Sequence, residues 1–429
     1  MNTSKLAWAG LLGVLLFVAV GRAATHTAAS ASFSDVGAAI SSAGYGDTVV
    51  VPAGAATWSN HLSIVKGITL QGAGAEATVI TSNYAASTGN SLDKVNFLID
   101  YAPDAKSLAD NVPFRITGFT FDFNNKCGGI VLNNHSTTAI NKVRIDHNAI
   151  RNASSKVVGA RAIEIGGTVY GVIDNNTFTG NRKSIDSYGL NEKSWNNLTF
   201  TFGSPDCMYY EDNDITMDDS PHSGGAGGRY CARYNKYTYV NTKAGIYPWF
   251  DMHGNMNGAN YSTMGAEIYG NALTCTAAVG VGIFDQRGGK AMIFNNRANT
   301  AGSVSAKVRE EYDDALNPTT NHEPQHVSDS YFWNNTKNGT VLVKAVIGQD
   351  NCNVLAENRE FFNQNTSFDG TSGIGVGTLA ARPATCTPGA AYWATDAGSQ
   401  GTLYKCTAPN TWSVYYQPYT YPHPLRNEK

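Results

Sequence analysis

Four side chains able to move protons or stabilise charge recur at one spacing in two segments of the chain. The sequences FDMHG and FDQRG place Asp251 two residues before His253, and Asp285 two residues before Arg287. Because side chains alternate between the two faces of a strand, each acid would share the outward face with the basic residue that follows it. If the two segments are strands of adjacent coils, the pattern predicts that Asp251 stacks beside Asp285.

A base beside a cation is what cleavage of an acidic polysaccharide by β-elimination requires. The base removes the proton next to a carboxylate, and the cation stabilises the enolate-like charge that develops. His222 or His253 is the candidate base in this sequence, and Arg287 or Arg229 is the candidate stabilising cation.

The paired carboxylates support two other kinds of chemistry. Glycoside hydrolysis uses two carboxyl groups as acid and base or nucleophile, and Asp251 and Asp285 on adjacent strands would lie about 4.8 Å apart, near the separation of a retaining pair. The same two carboxylates could hold calcium through oxygen ligands. The alternative without chemistry is a solvated face of mixed charge. Neighbouring segments add further charged residues to that face: Asp218, Asp219, Lys307, Arg309, Glu310 and Glu311.

A recurring asparagine motif indicates the elements that would position these residues. An apolar residue stands three places before asparagines at positions 124, 148, 176, 213, 235, 271, 296, 335 and 358. Regular spacing of this kind is typical of a solenoid, and the units are short alternating strands without helical periodicity. Asparagine tolerates the left-handed backbone region at a corner, and stacked asparagines can form a hydrogen-bonded ladder. We predict a parallel β-helix, with an ordinary β-sandwich as the alternative.

The N-terminal region has the clearest family resemblance. The apolar residues of FSDVGAAI (33–40) have helical spacing, and the sequences GDTVVVPAG and GITLQGAG follow. This start resembles that of the pectin lyase-like right-handed parallel β-helix superfamily, closely over residues 33–80. The resemblance implies an all-β, right-handed parallel β-helix whose open end is covered by a capping helix. No stretch matches a pectate lyase or polygalacturonase catalytic motif position by position, so the resemblance implies no catalytic residues.

Charge and targeting signals restrict the class of protein further. The net charge of −3 indicates no basic surface for nucleic acid. Residues 1–23 predict a secretory signal peptide, because Lys5 precedes an apolar run that ends at a small-residue cleavage site. That run is too short for a comfortable membrane span. We therefore expect an exported, extracellular protein without a membrane span; the sequence does not define its oligomeric state.

The seven cysteines and the aromatic C-terminal segment suggest how the chain is closed. An odd number of cysteines leaves at least one unpaired. Cys386 and Cys406 are the predicted disulfide, and Cys207 with Cys231 is a weaker candidate pair. The aromatic residues of the last segment either stack on sugar rings or, as we favour, cover the open end of the solenoid: Tyr392, Trp393, Tyr404, Trp412, Tyr415, Tyr416, Tyr419 and Tyr421.

The predicted organisation is a signal peptide at 1–23, a leader at 24–32, a parallel β-helix with its cap at 33–370 and a C-terminal segment at 371–429. The leading hypothesis for function is a secreted carbohydrate-active protein that acts on an extracellular polysaccharide. A polysaccharide lyase is favoured and a glycoside hydrolase ranks second. The competing class is a non-catalytic adhesin or a fibre subunit that uses the solenoid as a stiff rod.

Overall fold

The structure is a computed structural model, and parts of the chain fall outside the residues it describes. Most of the predicted signal peptide, together with Asp218, Glu311 and Cys352, lies outside that part. The described residues are 23–85, 97–134, 136–153, 161–188, 199–217, 219–240, 248–254, 262–310, 326–348 and 355–427.

Strands dominate the described residues. The first twelve are β1 (Thr25–Thr27), β2 (Thr48–Val51), β3 (Gly54–Trp58), β4 (Leu62–Ile64), β5 (Thr69–Gly72), β6 (Thr78–Ser82), β7 (Phe97–Tyr101), β8 (Phe114–Thr117), β9 (Thr120–Asp122), β10 (Gly128–Asn133), β11 (Ile140–Asp146) and β12 (Ala149–Arg151). The next twelve are β13 (Ile163–Gly166), β14 (Val169–Asp174), β15 (Thr177–Thr179), β16 (Ile185–Tyr188), β17 (Met208–Glu211), β18 (Asp214–Met217), β19 (His222–Gly225), β20 (Arg229–Arg233), β21 (Lys236–Tyr239), β22 (Phe250–Met252), β23 (Gly265–Tyr269) and β24 (Ala272–Cys275).

The remaining strands complete the solenoid and the C-terminal segment. They are β25 (Val281–Gln286), β26 (Lys290–Phe294), β27 (Arg297–Asn299), β28 (Val304–Val308), β29 (Ser330–Trp333), β30 (Thr336–Lys337), β31 (Val341–Leu342), β32 (Val346–Ile347), β33 (Phe361–Asn363), β34 (Ile374–Gly377), β35 (Ala391–Ala394), β36 (Thr402–Ala408) and β37 (Thr411–Tyr416). Within the described ranges, the helical elements are α1 (Phe33–Ser42), α2 (Ala105–Ala109) and two 3-10 turns, Leu379–Ala381 and Pro424–Arg426.

Three long sheets run along the molecule. Among the described residues, sheet 1 has 12 strands from β1 to β33, sheet 2 has 10 strands from β4 to β32, and sheet 3 has 11 strands from β3 to β31. Most strands pair in parallel with the strand three places on in the chain, as β11 does with β14 and β14 with β17. One strand in each of three sheets therefore makes one coil, and the chain is a parallel β-helix, as predicted.

An asparagine ladder holds successive coils together at the turn from sheet 1 to sheet 3. The side chain of Asn213, for example, accepts hydrogen bonds from both the backbone N–H and the side-chain amide of Asn176, at 3.0 and 3.1 Å. All of the ladder residues are buried. Because an unpaired buried amide costs about 1–3 kcal/mol, each member depends on the next coil. The unbroken series comprises Asn148, Asn176, Asn213, Asn235, Asn271, Asn296 and Asn335.

Two of the nine predicted ladder positions are wrong, because the apolar motif also occurs elsewhere in the coil. Phe119, not Asn124, donates its backbone N–H to Asn148 and so occupies the ladder position of its coil. Asn358 bonds to Phe361 across a local turn. The left-handed backbone is also displaced by one residue from the prediction. It falls on the residue before the ladder asparagine, with φ of 54° at Asn175 and 53° at Asn334.

The helix predicted at residues 33–40 is present as α1. Ser32 accepts a hydrogen bond from the backbone N–H of Asp35 at 3.2 Å and caps its N-terminus. The buried face of α1, which includes Val36 and Ile40, packs against β1 to β4, the first strands of the three sheets. Its role as a cap of the solenoid stays a prediction.

The C-terminal aromatic residues cover a side of the solenoid. Strands β34 to β37 form a four-stranded sheet, and its Trp393 and Tyr416 belong to the same buried cluster as Phe294 and Trp333 of sheet 1. For this inner set, packing against the solenoid is favoured over sugar stacking, but the predicted location of that cover is the open end. The surface they cover, however, is the outer face of sheet 1, because that face presents large aromatic residues on neighbouring coils.

One of the two candidate cysteine pairs is bonded. Cys386 and Cys406 form the predicted disulfide. The weaker pairing of Cys207 with Cys231 is wrong, because both are free, buried thiols. Among the residues described, no helix is long and apolar enough to cross a membrane.

Candidate functional site

The outer face of sheet 2 brings the sequence-predicted residues together. Strands β22 and β25 pair in register, so that Asp251 lies directly beside Asp285. Phe250 and Met252 point into the core on either side of Asp251, and the acid therefore takes the opposite face, as strand alternation requires. The predicted stacking of the two acids is confirmed by this register.

His253 is held between an acid and a cation. Its Nε2 lies 2.9 Å from Asp251 Oδ2, and its Nδ1 lies 2.6 Å from the guanidinium of Arg287. A guanidinium can only donate hydrogen bonds, so Nδ1 accepts one and Nε2 holds the proton that it donates to Asp251. The side chain of His253 is 25% exposed. These contacts orient the imidazole, with Nδ1 facing the largely buried Arg287 guanidinium.

Asp251 is the carboxylate that both His253 and Arg287 contact. Its other oxygen, Oδ1, is 2.5 Å from the Arg287 guanidinium. Burial alone would raise the pKa of Asp251, but the contacts with His253 and Arg287 outweigh burial and hold that pKa well below its usual range. The expectation of an exposed acid is wrong, because only 3% of Asp251 is exposed beneath these partners. Asp251 is thus a buried carboxylate that remains ionised.

Asp285 forms an ion pair with Arg309, which comes from the next coil. The Arg309 guanidinium contacts both of its oxygens, at 2.7 Å and 3.1 Å for the shortest contact to each. Asp285 is also largely covered, at 8% exposed. Each of the two neighbouring acids therefore has its own guanidinium.

His222 is not part of this cluster, which overturns its prediction as a candidate base. In the register of sheet 2 it pairs with Phe250, and Ser223 takes the outward position beside Asp251. The His222 ring lies in the core, where Nε2 contacts the hydroxyl of Tyr237 at 2.8 Å and Nδ1 contacts the carbonyl of Ile185 at 3.1 Å. Burial lowers its pKa to about 3, so it stays neutral.

Arg229, the second candidate cation, lies on a different sheet. It belongs to β20 of sheet 1 and is fully buried, with its guanidinium over the ring of Phe200. It therefore cannot stabilise charge that develops at the face of sheet 2.

The two paired acids do not fit a calcium site. Calcium takes 6–8 oxygen ligands, whereas Asp251 and Asp285 already direct oxygens at Arg287 and Arg309. Within the described residues, no group of three or more acidic, histidine or cysteine side chains is arranged to hold a metal ion.

A second charged cluster lies on the same face of sheet 2. Glu164 and Asp186 are neighbours in the register of β13 and β16, and Arg161 contacts them at 3.2 and 2.6 Å. Burial raises the pKa of Glu164 well above its usual range, and the neighbouring Asp186 adds to that effect. Arg161 comes from the turn that enters β13, a position without a repeat motif, and only the coil register reveals it.

A cleft of about 270 Å³ opens above these clusters. The Tyr188 hydroxyl lies 3.0 Å from that of Ser223, and burial raises the pKa of Tyr188, so that its hydroxyl keeps the proton. The basic residues of the lining are Arg161, Arg182, Lys183, His253, Arg287 and Arg309, and the acids are Asp219, Asp251 and Asp285. The cleft is thus lined by many charged side chains, guanidinium groups above all, and by His253.

The fold and this cleft define a parallel β-helix protein with a charged cleft on the outer face of one sheet, the architecture that the resemblance to the pectin lyase-like superfamily implied. No protein-family model matches the chain, and no curated protein sequence is similar to it at a significant level.

Several solved structures are similar to the chain as a whole. ORF18 of Geobacillus virus E2 is 13% identical with a TM-score of 0.39, over 89% of this chain and 72% of that one. Pectin methylesterase from carrot is 12% identical with a TM-score of 0.34, over 84% and 91%. Alginate lyase from Paenibacillus sp. str. FPU-7 is 14% identical with a TM-score of 0.31, over 73% and 99%. Likenesses at this level do not assign an activity.

Proposed function

We propose that the chain is a secreted polysaccharide lyase that cleaves a uronate-containing polymer in the cleft of sheet 2. The observation that carries the proposal is the contact of His253 Nδ1 with the Arg287 guanidinium, backed by Asp251. A histidine beside a guanidinium supports the proposal, because β-elimination uses a base and a charge-stabilising cation.

The contacts suggest an order of events. A substrate carboxylate would bind the Arg287 guanidinium and draw it from His253, which frees Nδ1 to remove the proton on the carbon beside that carboxylate. Asp251 would keep its hydrogen bond from Nε2 and stabilise the imidazolium that forms. The C–O bond to the leaving sugar then breaks as the new C=C bond forms. Tyr188, which keeps its proton, would protonate the leaving oxygen.

The lining of the cleft supports an acidic substrate. Besides Arg287, guanidinium groups of Arg161, Arg182 and Arg309 face the cleft. Guanidinium groups bind carboxylates in a bidentate manner. A polymer with one carboxylate on many of its residues could therefore contact several coils at once.

Glycoside hydrolysis ranks second. Asp251 and Asp285 are neighbours in register, and adjacent strands lie about 4.8 Å apart, near the carboxyl separation of a retaining pair. One member of such a pair must serve as the acid, whereas Asp251 is held ionised and Asp285 is contacted through both oxygens by Arg309. These pairings are the reason for placing hydrolysis below elimination.

Export of the protein is part of the proposal. The Cys386–Cys406 disulfide is typical of oxidising compartments outside the cytosol, and it agrees with the signal peptide predicted at 1–23. An extracellular polysaccharide is the expected partner.

A product assay tests the proposed reaction. The mature protein is incubated with polygalacturonate, alginate and neutral glucans, and absorbance near ~235 nm and reducing ends are both followed. We expect absorbance to rise with an acidic polymer, and His253→Ala to lower the rate by roughly 10²-fold or more. His222→Phe is the matched control, since its ring lies in the core, and its rate should stay within about twofold of wild type.

The same assay separates the competing functions. Reducing ends without a rise in absorbance would favour a hydrolase. No product from any polymer, with binding retained, would favour a non-catalytic adhesin or fibre subunit. An equal rate in His253→Ala and wild type would refute the assigned base.

A further inference from the structure

A second groove lies on another side of the solenoid, beside the turns that follow sheet 1. It has a volume of about 750 Å³ and is lined from several successive coils. The antiparallel pair β30 and β31, which interrupts the parallel pattern of sheet 3, contributes Thr336 and Leu342 to its lining. The groove and the cleft of sheet 2 have different linings, and they share no residue.

Three polar side chains of this groove are available to a ligand. Asn295 and Asn334 hold the same left-handed turn position on neighbouring coils, with φ of 56° and 53°. Within the described residues, the side chains of Asn295, Asn334 and Arg297 have no hydrogen-bond or ion-pair partner, and Asn295 and Arg297 are exposed. Amide groups both donate and accept hydrogen bonds, and guanidinium only donates. The groove thus offers a set of donors and acceptors to an external ligand.

Tyr234 closes one end of the groove in a costly backbone conformation. Its φ is 58°, which is uncommon for a bulky residue and typically costs about 1–3 kcal/mol. Other residues at this turn position are smaller polar residues or glycine, such as Asn175 and Gly270. The Tyr234 ring lies over Gly270, where an added Cβ would come within 2.6 Å of the ring. Its hydroxyl lies 3.0 Å from Gln400 Oε1, which fixes the ring in place.

The chemistry of the lining defines the ligand class. Amide and hydroxyl groups both donate and accept hydrogen bonds, so they match a hydroxyl-rich molecule such as a saccharide. Among the described residues that line the groove, Arg297 is the one charged side chain and none is a carboxylate. The groove extends over the turns from Tyr234 to Gln364, which belong to consecutive coils of sheet 1. At about 4.8 Å per strand this is about 19 Å, enough for several sugar residues.

We infer that this groove is a second, non-catalytic binding site for an oligosaccharide segment that has an acidic group at Arg297. It would hold a polymer against the solenoid without cleaving it, since the lining residues that the structure describes include neither an acid nor a histidine. The inference stands independently of the reaction proposed for the cleft of sheet 2.

Affinity electrophoresis tests this site. The full mature chain is run through native gels that contain polygalacturonate, alginate or uncharged dextran. Arg297→Ala is compared with Lys337→Ala, which removes one positive charge from the neighbouring strand β30 without touching the groove lining. We expect an acidic polymer to retard the wild type, Arg297→Ala to weaken the apparent affinity about tenfold, and Lys337→Ala to change it less than twofold.

A second measurement separates this site from the cleft. The cleavage rate of Arg297→Ala on a short acidic oligosaccharide should equal that of wild type, and His253→Ala should still be retarded through Arg297. One result would separate the two proposals: no protein variant cleaves the polymer, but retardation in the gel still depends on Arg297. The proposed reaction would then be refuted, and the proposed binding site would be supported. Absence of retardation in both acidic gels, or equal losses in Arg297→Ala and Lys337→Ala, would overturn the inference.

Discussion

Replacing Asp251 by asparagine tests whether the acid of the cleft is a buried ion-pair partner or a surface charge. Asp251 is 3% exposed and contacts the Arg287 guanidinium at 2.5 Å. Asparagine has nearly the same shape but leaves that guanidinium, itself 7% exposed, without its carboxylate. Breaking a buried ion pair in this way costs about 3–5 kcal/mol. We expect Asp251→Asn to lower the free energy of unfolding by about 3 kcal/mol at pH 7.

Urea denaturation measures this loss, and Asp214→Asn is the matched control. Asp214 also pairs with a cation, Lys236 at 2.7 Å, but both side chains are about half exposed. An exposed pair contributes about 0–1 kcal/mol, so the control should lose no more than that. Equal and small losses in both variants would refute the buried pairing and would restore the simpler expectation of a solvated acid.

The pH dependence of the Asp251 variant gives a further check on the same reasoning. The pKa of Asp251 is lowered in the folded state, so its stabilising contribution is present above the unfolded value of about 3.9 and is lost as pH falls toward the folded pKa. The difference in unfolding free energy between wild type and Asp251→Asn should therefore narrow below about pH 4. A difference that widens on acidification would contradict the assigned ionisation.

Three further predictions concern the ladder, the core histidine and the C-terminal segment. Asn235→Ala removes two accepted and two donated hydrogen bonds and should cost about 3 kcal/mol in urea denaturation, while the exposed Asn299→Ala should cost at most about 0.5 kcal/mol. Burial lowers the pKa of His222 to about 3, against about 6.5 in the unfolded chain. The free energy of unfolding should therefore fall as pH drops below about 6.5, by about 2 kcal/mol at pH 5. Thermal melts of His222→Phe at pH 7 and pH 5 should lack this loss. Replacing Cys386 and Cys406 by serine should destabilise the C-terminal sheet by about 3 kcal/mol without changing cleavage rates. A melting temperature equal to that of wild type would contradict this prediction.

The repeat pattern predicts the fold and part of the site, because both depend on short-range regularities. The stacking of Asp251 on Asp285 follows from strand alternation and from two segments with the same terminal glycine. His222 lies in a segment without that pattern, and a shift of one residue moves a side chain to the other face of a strand. No local pattern indicates that the His222 ring lies in the core. The prediction that His222 is an outward-facing base is therefore wrong.

The sequence does not predict that Asp251 and Asp285 are buried, nor which further basic residues line the cleft. Asp251 and Asp285 face away from the core, yet Arg287 and Arg309 cover them, and only three-dimensional neighbours determine that cover. Arg161 enters the cleft from a turn between coils, where spacing varies. A sequence repeat predicts which residues stack on the same face of successive strands. It does not predict which side chains from the turns cover that face.

The most direct test of the central proposal is a crystal structure of His253→Ala soaked with an acidic oligosaccharide of the polymer that the wild type cleaves. The account predicts a sugar carboxylate within about 3.2 Å of the Arg287 guanidinium, with the sugar chain crossing successive strands of sheet 2 in the cleft. A saccharide bound only in the groove beside Asn295, with the cleft of sheet 2 containing solvent alone, would contradict it.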